Sequence, residues 1–369
     1  MRVTSLSLTN YRNYEQLSIE LVTGVNLLIG KNGQGKTNLV EAIRYCSTLS
    51  SHRSSASALI KNEEKQASIG IELENSGKKL KLGIELNKDS ANRHSINGNL
   101  VKKSSEILGA LTTVIFSPED IDLIRRDPST RRAFLNDLAV QLRPSYYQTL
   151  QDYERVLKQR NALLKSARGK SSVDLSTLDL WNEQLVSIGS KIIQNRQQLI
   201  TSLLPRIQQK YSQISQSQSD IQISQQSSIN VDYGDLSAEQ IAAELFRAIE
   251  SFKKDELDRG VTLLGPQRDE LQIQLNGLSA KEHASQGEAW SLALSMKLAS
   301  AELIADSSSL GKPVMILDDV FSVLDTSRRE ALTQFIDGYE QVLITAAVEA
   351  DVPLTSEATR FTIRGGQVE

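Results

Sequence analysis

Cysteine is nearly absent: Cys46 is the single one in 369 residues. One cysteine cannot form an intramolecular disulfide, and it excludes a cysteine-built zinc site. Histidine is scarce too, with three in the chain, so no structural metal centre is expected. No apolar run approaches the ~18 residues of a membrane span. The chain opens on Arg2 and then alternates polar and apolar residues, which is a strand pattern and not a secretory leader. A reducing, cytoplasmic setting with no membrane partner is the expectation. Charge of one sign is also not in excess. The 42 basic and 45 acidic residues leave a net charge of −3, so there is no global nucleic-acid footprint, although a local basic stripe would serve.

The length suits about two or three domains and a sizeable core. Alternation predicts strands over residues 3–9, 16–22 and 25–29, and a helix follows from residue 38 with Leu39, Ala42, Ile43 and Cys46 at helical spacing. Residues 67–74 and 79–87 read as a hairpin, Asn97-Gly98 as a second tight turn, and 112–116 as a short buried strand. Helical patterns then dominate: 119–126, 128–142, 146–167, 178–209 and 238–254. The third and fourth make an antiparallel arm turning at Gly169-Lys170-Ser171-Ser172, and Pro205 should kink or end the latter. The Ser/Gln-rich tract 212–228 reads as a loop or an edge strand. Strands return at 261–264, 271–275, 314–317 and 341–345, with helices near 287–305 and 328–336. The expected architecture is an α/β head of residues 1–117 and 261–369, with a helical lobe of residues 118–260 inserted.

Gly30-Lys31-Asn32-Gly33-Gln34-Gly35-Lys36-Thr37 lies between a buried strand and a helix, the context a phosphate-binding loop requires. Glycines let backbone N–H groups curl around phosphates, and the helix start, with Asn38 in its first turn, adds partial positive charge. Lys36 would reach the β- and γ-phosphates of ATP, and the Thr37 hydroxyl would take one position on Mg²⁺. A second piece is the apolar strand Val314-Met315-Ile316-Leu317 ending in Asp318-Asp319. There Asp318 would hold Mg²⁺, mostly through water, and Asp319 would orient or deprotonate the attacking water. The third piece, Ser285-Gln286-Gly287-Glu288, fits an anion site at a helix start and equally a plain capping box.

The order of these pieces, closed by Ser322-Val323-Leu324-Asp325, resembles the ATP-binding-cassette head shared by transporters, chromosome-structuring proteins and recombination ATPases. A closer match runs through Leu8-Thr9-Asn10-Tyr11-Arg12-Asn13-Tyr14, residues 33–42, Ser51-His52-Arg53, Phe116-Ser117-Pro118-Glu119-Asp120, Leu264-Gly265-Pro266-Gln267-Arg268-Asp269 and Leu317-Asp318-Asp319-Val320-Phe321-Ser322. In these the chain resembles the RecF family of bacterial DNA replication and repair ATPases. The resemblance implies ATP bound between two subunits, with Ser285, Gly287 and Glu288 facing the loop of the second copy. It places Arg12 and Asn13 near the nucleotide and Asp325 at the subunit junction. It further implies slow, DNA-dependent hydrolysis, a dimer that clamps duplex or gapped DNA, and RecO and RecR as partners in RecA loading, replication restart and the SOS response.

Three positions depart from the family pattern. Gln267 stands where histidine is frequent, Glu288-Ala289-Trp290 lacks an arginine, and Thr345-Ala346-Ala347 carries no switch histidine, so γ-phosphate sensing falls to Thr345 or to no identified residue. Two basic clusters, Arg125, Arg126, Arg131 and Arg132, and Lys158, Arg160, Lys165, Arg168 and Lys170, read as solvated faces or as sequence-independent phosphate contacts. A chromosome-organising coiled coil would need sustained heptads, which are missing. A transporter head would need a membrane partner, and a nuclease-linked ATPase a further acidic metal cluster.

Overall fold

The computed structural model describes residues 1–51, 53–168, 176–353 and 357–368. Strands β1 (Arg2–Tyr11) and β2 (Tyr14–Glu20) form a hairpin, and β3 (Gly24–Ile29) leads through the glycine loop into α1 (Lys36–Thr48). Strands β4 (Gln66–Asn75) and β5 (Lys78–Asn87) turn at Ser76-Gly77, both left-handed at φ 50° and 76°, the primed turn that matches strand twist. Strands β6 (Arg93–Ile96) and β7 (Asn99–Leu100) complete an antiparallel sheet of order β2-β1-β4-β5-β6-β7.

Next come β8 (Thr113–Phe116) and the helices α2 (Asp122–Arg125), α3 (Pro128–Leu142), α4 (Tyr146–Ala167) and α5 (Leu178–Ser215). Strand β9 (Ile221–Gln226) and helix α6 (Ala238–Arg259) precede β10 (Glu270–Leu275) and β11 (Leu278–Ser279). The chain continues with α7 (Ala280–His283), α8 (Gln286–Ser307), β12 (Val314–Asp318), α9 (Thr326–Ile336), β13 (Gln341–Ala346), β14 (Ala358–Arg364) and β15 (Gln367–Val368).

The central sheet has the order β15-β14-β3-β13-β12-β8, parallel except for β15. Strands β12 and β13 are buried along their length, as the middle of a parallel sheet covered on both faces demands. Helix α1 lies between the two large sheets, touching β4 of one and β8, β12 and β13 of the other. That position buries even Glu41, Arg44, Ser47 and Thr48.

Helices α4 and α5 are antiparallel: Tyr153 packs on Gly189, and Arg160 bonds Asn182. Helix α6 packs on both, so the arm is a three-helix group. The expected turn at residues 169–172 lies outside the described residues, as does His52. Helix α5 runs 38 residues, about 57 Å at ~1.5 Å per residue, and Pro205 does not end it. Buried Leu199, Ile200, Leu203, Ile207 and Tyr211 hold the helix on both sides of the proline.

Of the two alternatives for the Ser/Gln-rich tract, the edge strand holds: it contains β9, paired antiparallel with β10, Ile223 opposite Ile273. Other readings need correction. Residues 261–264 form no strand. Their donors are taken elsewhere: the Val261 N–H by Glu256 O, the Thr262 N–H by Asn161 and the Leu263 N–H by Glu256 Oε1, and just beyond them the Gly265 N–H goes to Ser228 Oγ. The helix expected over 119–126 is a 3₁₀ turn, Pro118–Ile121, followed by α2. Strand β14, beside β3, was not expected.

Candidate nucleotide-binding site

The loop after β3 is closely walled. A side chain at Gly30 would put its Cβ 2.4 Å from the backbone oxygen of Ile363 on β14, so only hydrogen fits there. Gly35 has φ 115°, and a Cβ there would lie 2.7 Å from Asn13 and 2.8 Å from the Tyr14 hydroxyl. Both conditions select glycine. The β1–β2 turn braces the loop from behind. Tyr14 donates its hydroxyl to Gly35 O at 3.0 Å, Asn13 Nδ2 donates to Gln34 O at 3.1 Å, and Asn38 Nδ2 donates to Asn13 Oδ1 at 2.8 Å. On the other side the Gly365 N–H reaches Gln34 Oε1 at 2.6 Å. Lys31, Asn32 and Gly33 are exposed at the tip.

Lys36 folds back over the loop, donating to Gly30 O at 2.7 Å and Lys31 O at 3.4 Å, with Asp319 Oδ2 3.9 Å away. Its close partners are neutral carbonyls, which leaves the ammonium charge available to an anion. Beside it, the start of α1 leaves N–H groups without intrahelical partners.

Asp318, 3% exposed, ends β12 and accepts from the Thr37 hydroxyl at 2.9 Å and the Thr345 hydroxyl at 2.6 Å, both on Oδ1. Burial pushes its carboxyl above the ordinary range; the two hydroxyl donors work against that rise, and the negative charges of Asp319 and Glu119 add to it. Asp319 is left-handed at φ 50°, and its N–H bonds Thr345 Oγ1 at 2.9 Å. Thr37 Oγ1 and Asp318 Oδ1 thus converge as hard oxygen ligands of the kind Mg²⁺ takes.

Ser285 caps α8. Its N–H donates to Glu288 Oε2 at 2.7 Å, and the Glu288 N–H donates to Ser285 Oγ at 3.3 Å. The capping-box geometry is therefore present, and it leaves the start of the helix open. Asp325 caps α9 by accepting the Arg328 N–H at 3.0 Å. Arg328 also pairs with the Asp325 carboxylate, donates Nε to Ser291 Oγ at 3.0 Å, and lies against Gly287. Sequence reasoning had not picked out this guanidinium, which brings positive charge to the segment that lacks the expected arginine. Ser285, Gly287, Glu288, Ser291 and Arg328 line a cavity of about 290 Å³ together with the C-terminal end of α5. Among the described residues, no hydrogen bond or ion pair joins Ser285, Gly287, Glu288 or Asp325 to residues 30–38.

Arg12 is engaged elsewhere than at the loop tip. Its guanidinium binds both oxygens of Glu41, Ser54 Oγ and Ala58 O, tying the β1–β2 turn to α1. Tyr14, also not singled out beforehand, carries the more direct contact to the loop.

The first basic cluster is largely structural. Arg131, 3% exposed, forks onto Glu270, Arg132 bonds Asp269 O, and Arg125 bonds the carbonyls of Lys281 and Ala284. In the second, Arg160 is core, bonded to Glu256, Asn182 and Thr262. Lys158, Lys165 and Arg168 are exposed, while Lys170 lies outside the described residues. Gln267 fills its position by bonding Tyr153 and Leu264 O.

A phosphate-type loop with its acids in one place, and a helix-start motif kept apart from them, make this fold a head domain of the ATP-binding-cassette type. The model of the RecF/RecN/SMC N terminal domain matches residues 2–366. The chain is 43% identical over 389 residues to the DNA replication and repair protein RecF of Clavibacter sepedonicus, covering 100% of this chain and 95% of that one. It is 43% identical over 377 residues to RecF of Streptomyces avermitilis, covering 100% of both. Among solved structures, the recombination mediator protein RecF-ATPrS in the RecFOR pathway matches with TM-score 0.89 at 30% identity, over 100% of this chain and 97% of that one. The Smc head domain from Pyrococcus furiosus, 15% identical with TM-score 0.53 over 100% of this chain and 95% of that one, shares the fold alone. The chain belongs to the RecF family of DNA replication and repair proteins.

Proposed function

We propose that this protein is an ATP-switched dimer that binds DNA during recombinational repair. The observation that carries the reading is the separation of the two half-sites. The loop and acids lie together, while Ser285 and Glu288 bond each other and Gly287 lies against Arg328, so a second copy is needed to close over a nucleotide. Gly30, Lys31, Asn32, Gly33, Gln34 and Gly35 cradle the phosphates, with Asn38 and Asn13 behind them, and Lys36 neutralises the β- and γ-oxygens. Thr37 and Asp318 hold Mg²⁺, which supplies charge neutralisation at the triphosphate when bound. Asp319, 29% exposed beside Lys36, orients the attacking water. Asp325 stands at the subunit junction, and Arg12 supports the site through Glu41.

Hydrolysis in this reading is weak, DNA-stimulated and serves to release the dimer. The head of residues 1–117 and 261–369 takes the nucleotide. The inserted lobe of residues 118–260 offers the exposed Lys158, Lys165 and Arg168 to the phosphates of duplex or gapped DNA, without sequence preference. The relatives named for the RecFOR pathway support RecO and RecR as partners; RecA loading, replication restart, the SOS response and a cytoplasmic location belong to the same proposal through the family resemblance. Among the described residues no helix is long and apolar enough to cross a membrane.

Fluorescence anisotropy with a labelled duplex tests this reading. ATP should tighten binding by roughly tenfold, a coupling of ~1.4 kcal/mol, and added salt should weaken it steeply. An affinity indifferent to nucleotide would sink the reading.

A further inference from the structure

Strand β13 lies between β3, which carries the loop, and β12, which carries the acids. In register, Thr345 stands beside Asp318. We propose that Thr345 is a positioning residue whose hydroxyl sets both acids of the nucleotide site; the inference rests on the function proposed above. The hydroxyl, on a residue 1% exposed, donates to Asp318 Oδ1 at 2.6 Å and accepts from the Asp319 N–H at 2.9 Å. The first bond fixes the rotation of the Asp318 carboxylate. The second, beside a longer bond from the same N–H to Thr345 O at 3.2 Å, tightens the left-handed turn at Asp319, φ 50°, which aims that carboxylate toward Lys36.

Packing alone does not call for a hydroxyl here. The preceding residues of β13, Val342, Leu343 and Ile344, are apolar and buried, and valine would fill the same volume without a buried polar group to satisfy. Among the described residues, the side-chain donors to Asp318 are Thr37 and Thr345. When the Thr37 hydroxyl turns to a metal ion, Thr345 is the donor that still orients Asp318. A hydroxyl occupied on both sides cannot also act as a γ-phosphate sensor, so the residue serves the acids and not the nucleotide.

The test uses the full chain with Thr345→Val and Thr345→Ser. A fluorescent, non-hydrolysable ATP analogue is bound without metal and then titrated with Mg²⁺, and single-turnover ATP hydrolysis is followed separately. Thr345→Val should bind the metal-free analogue within about threefold of wild type, yet need roughly 10–100-fold more Mg²⁺ and hydrolyse ATP about 10–100-fold more slowly, as for loss of a group that orients a metal ligand. Thr345→Ser should restore both. If Thr345→Val responds to the same Mg²⁺ concentration as wild type, the inference fails while the nucleotide site stands. It also fails if serine is as impaired as valine, or if metal-free binding is lost, since the role is then structural. If Mg²⁺ leaves wild-type binding unchanged, the assignment of Asp318 as a metal ligand falls, and this inference with it.

Discussion

Removing Glu256 should weaken the helical lobe more than any surface substitution near it. Glu256 and Arg160 are 0% and 1% exposed, and Arg160 Nη2 donates to Glu256 Oε2 at 2.5 Å. The guanidinium also donates to Asn182 Oδ1 and Thr262 Oγ1, each at 2.8 Å, while Glu256 Oε1 accepts the Leu263 N–H at 2.8 Å. Glu256→Ala leaves a buried cation without its counter-charge, which costs about 3–5 kcal/mol. It also orphans the Leu263 N–H, for a further ~1–3 kcal/mol. The double variant Arg160→Met/Glu256→Leu removes both charges, so its loss should fall about 2 kcal/mol or more short of the summed single losses. Guanidinium denaturation followed by helical circular dichroism measures this. A Glu256→Ala variant within ~1 kcal/mol of wild type would refute the argument, because the pair would then contribute no more than an exposed one.

Gly287→Ala separates the dimer from the monomer. The atoms nearest the new methyl are the flexible far end of Arg328, at 2.8 Å, so unfolding should shift by less than ~1 kcal/mol while dimerisation with ATP, read by light scattering, is lost. His94 is buried on β6, and burial lowers its pKa below the ordinary 6.5. Its neutral form is the one the fold accepts. The associated stability is thus full above pH ~6.5 and is lost as pH falls through the lower folded-state value. His94→Gln should therefore flatten the difference in thermal midpoint between pH 7.5 and pH 5 relative to wild type.

The parts of the site that were legible in the sequence were those fixed by local chemistry. The apolar run into Gly30, the glycines before Lys36, and the acids ending β12 each announce a strand end or a helix start by residue type. What escaped was decided by distant partners. Residues 261–264 have a strand's apolar content, but the carboxylate of Glu256 and the amide of Asn161 take their donors. The Ser/Gln-rich tract stayed open between loop and edge strand, because the one-sided alternation of β9 acquires meaning only opposite β10. Pro205 reads as a kink or an end, and packing carries α5 past it. Arg160 looked like one more surface cation until α6 supplied Glu256. Arg328 and Thr345 gain their roles from neighbours 37 and 27 residues away, Ser291 and Asp318, which no local pattern records.

Light scattering on the wild-type protein and on Lys36→Met, each with and without ATP, tests the central claim most directly. Lys36 holds its charge on neutral carbonyls above the loop, and methionine keeps much of its length without the ammonium. The wild type should pass from monomer to dimer mass with ATP, and Lys36→Met should stay monomeric. A Lys36→Met protein that still dimerises with ATP would contradict the account.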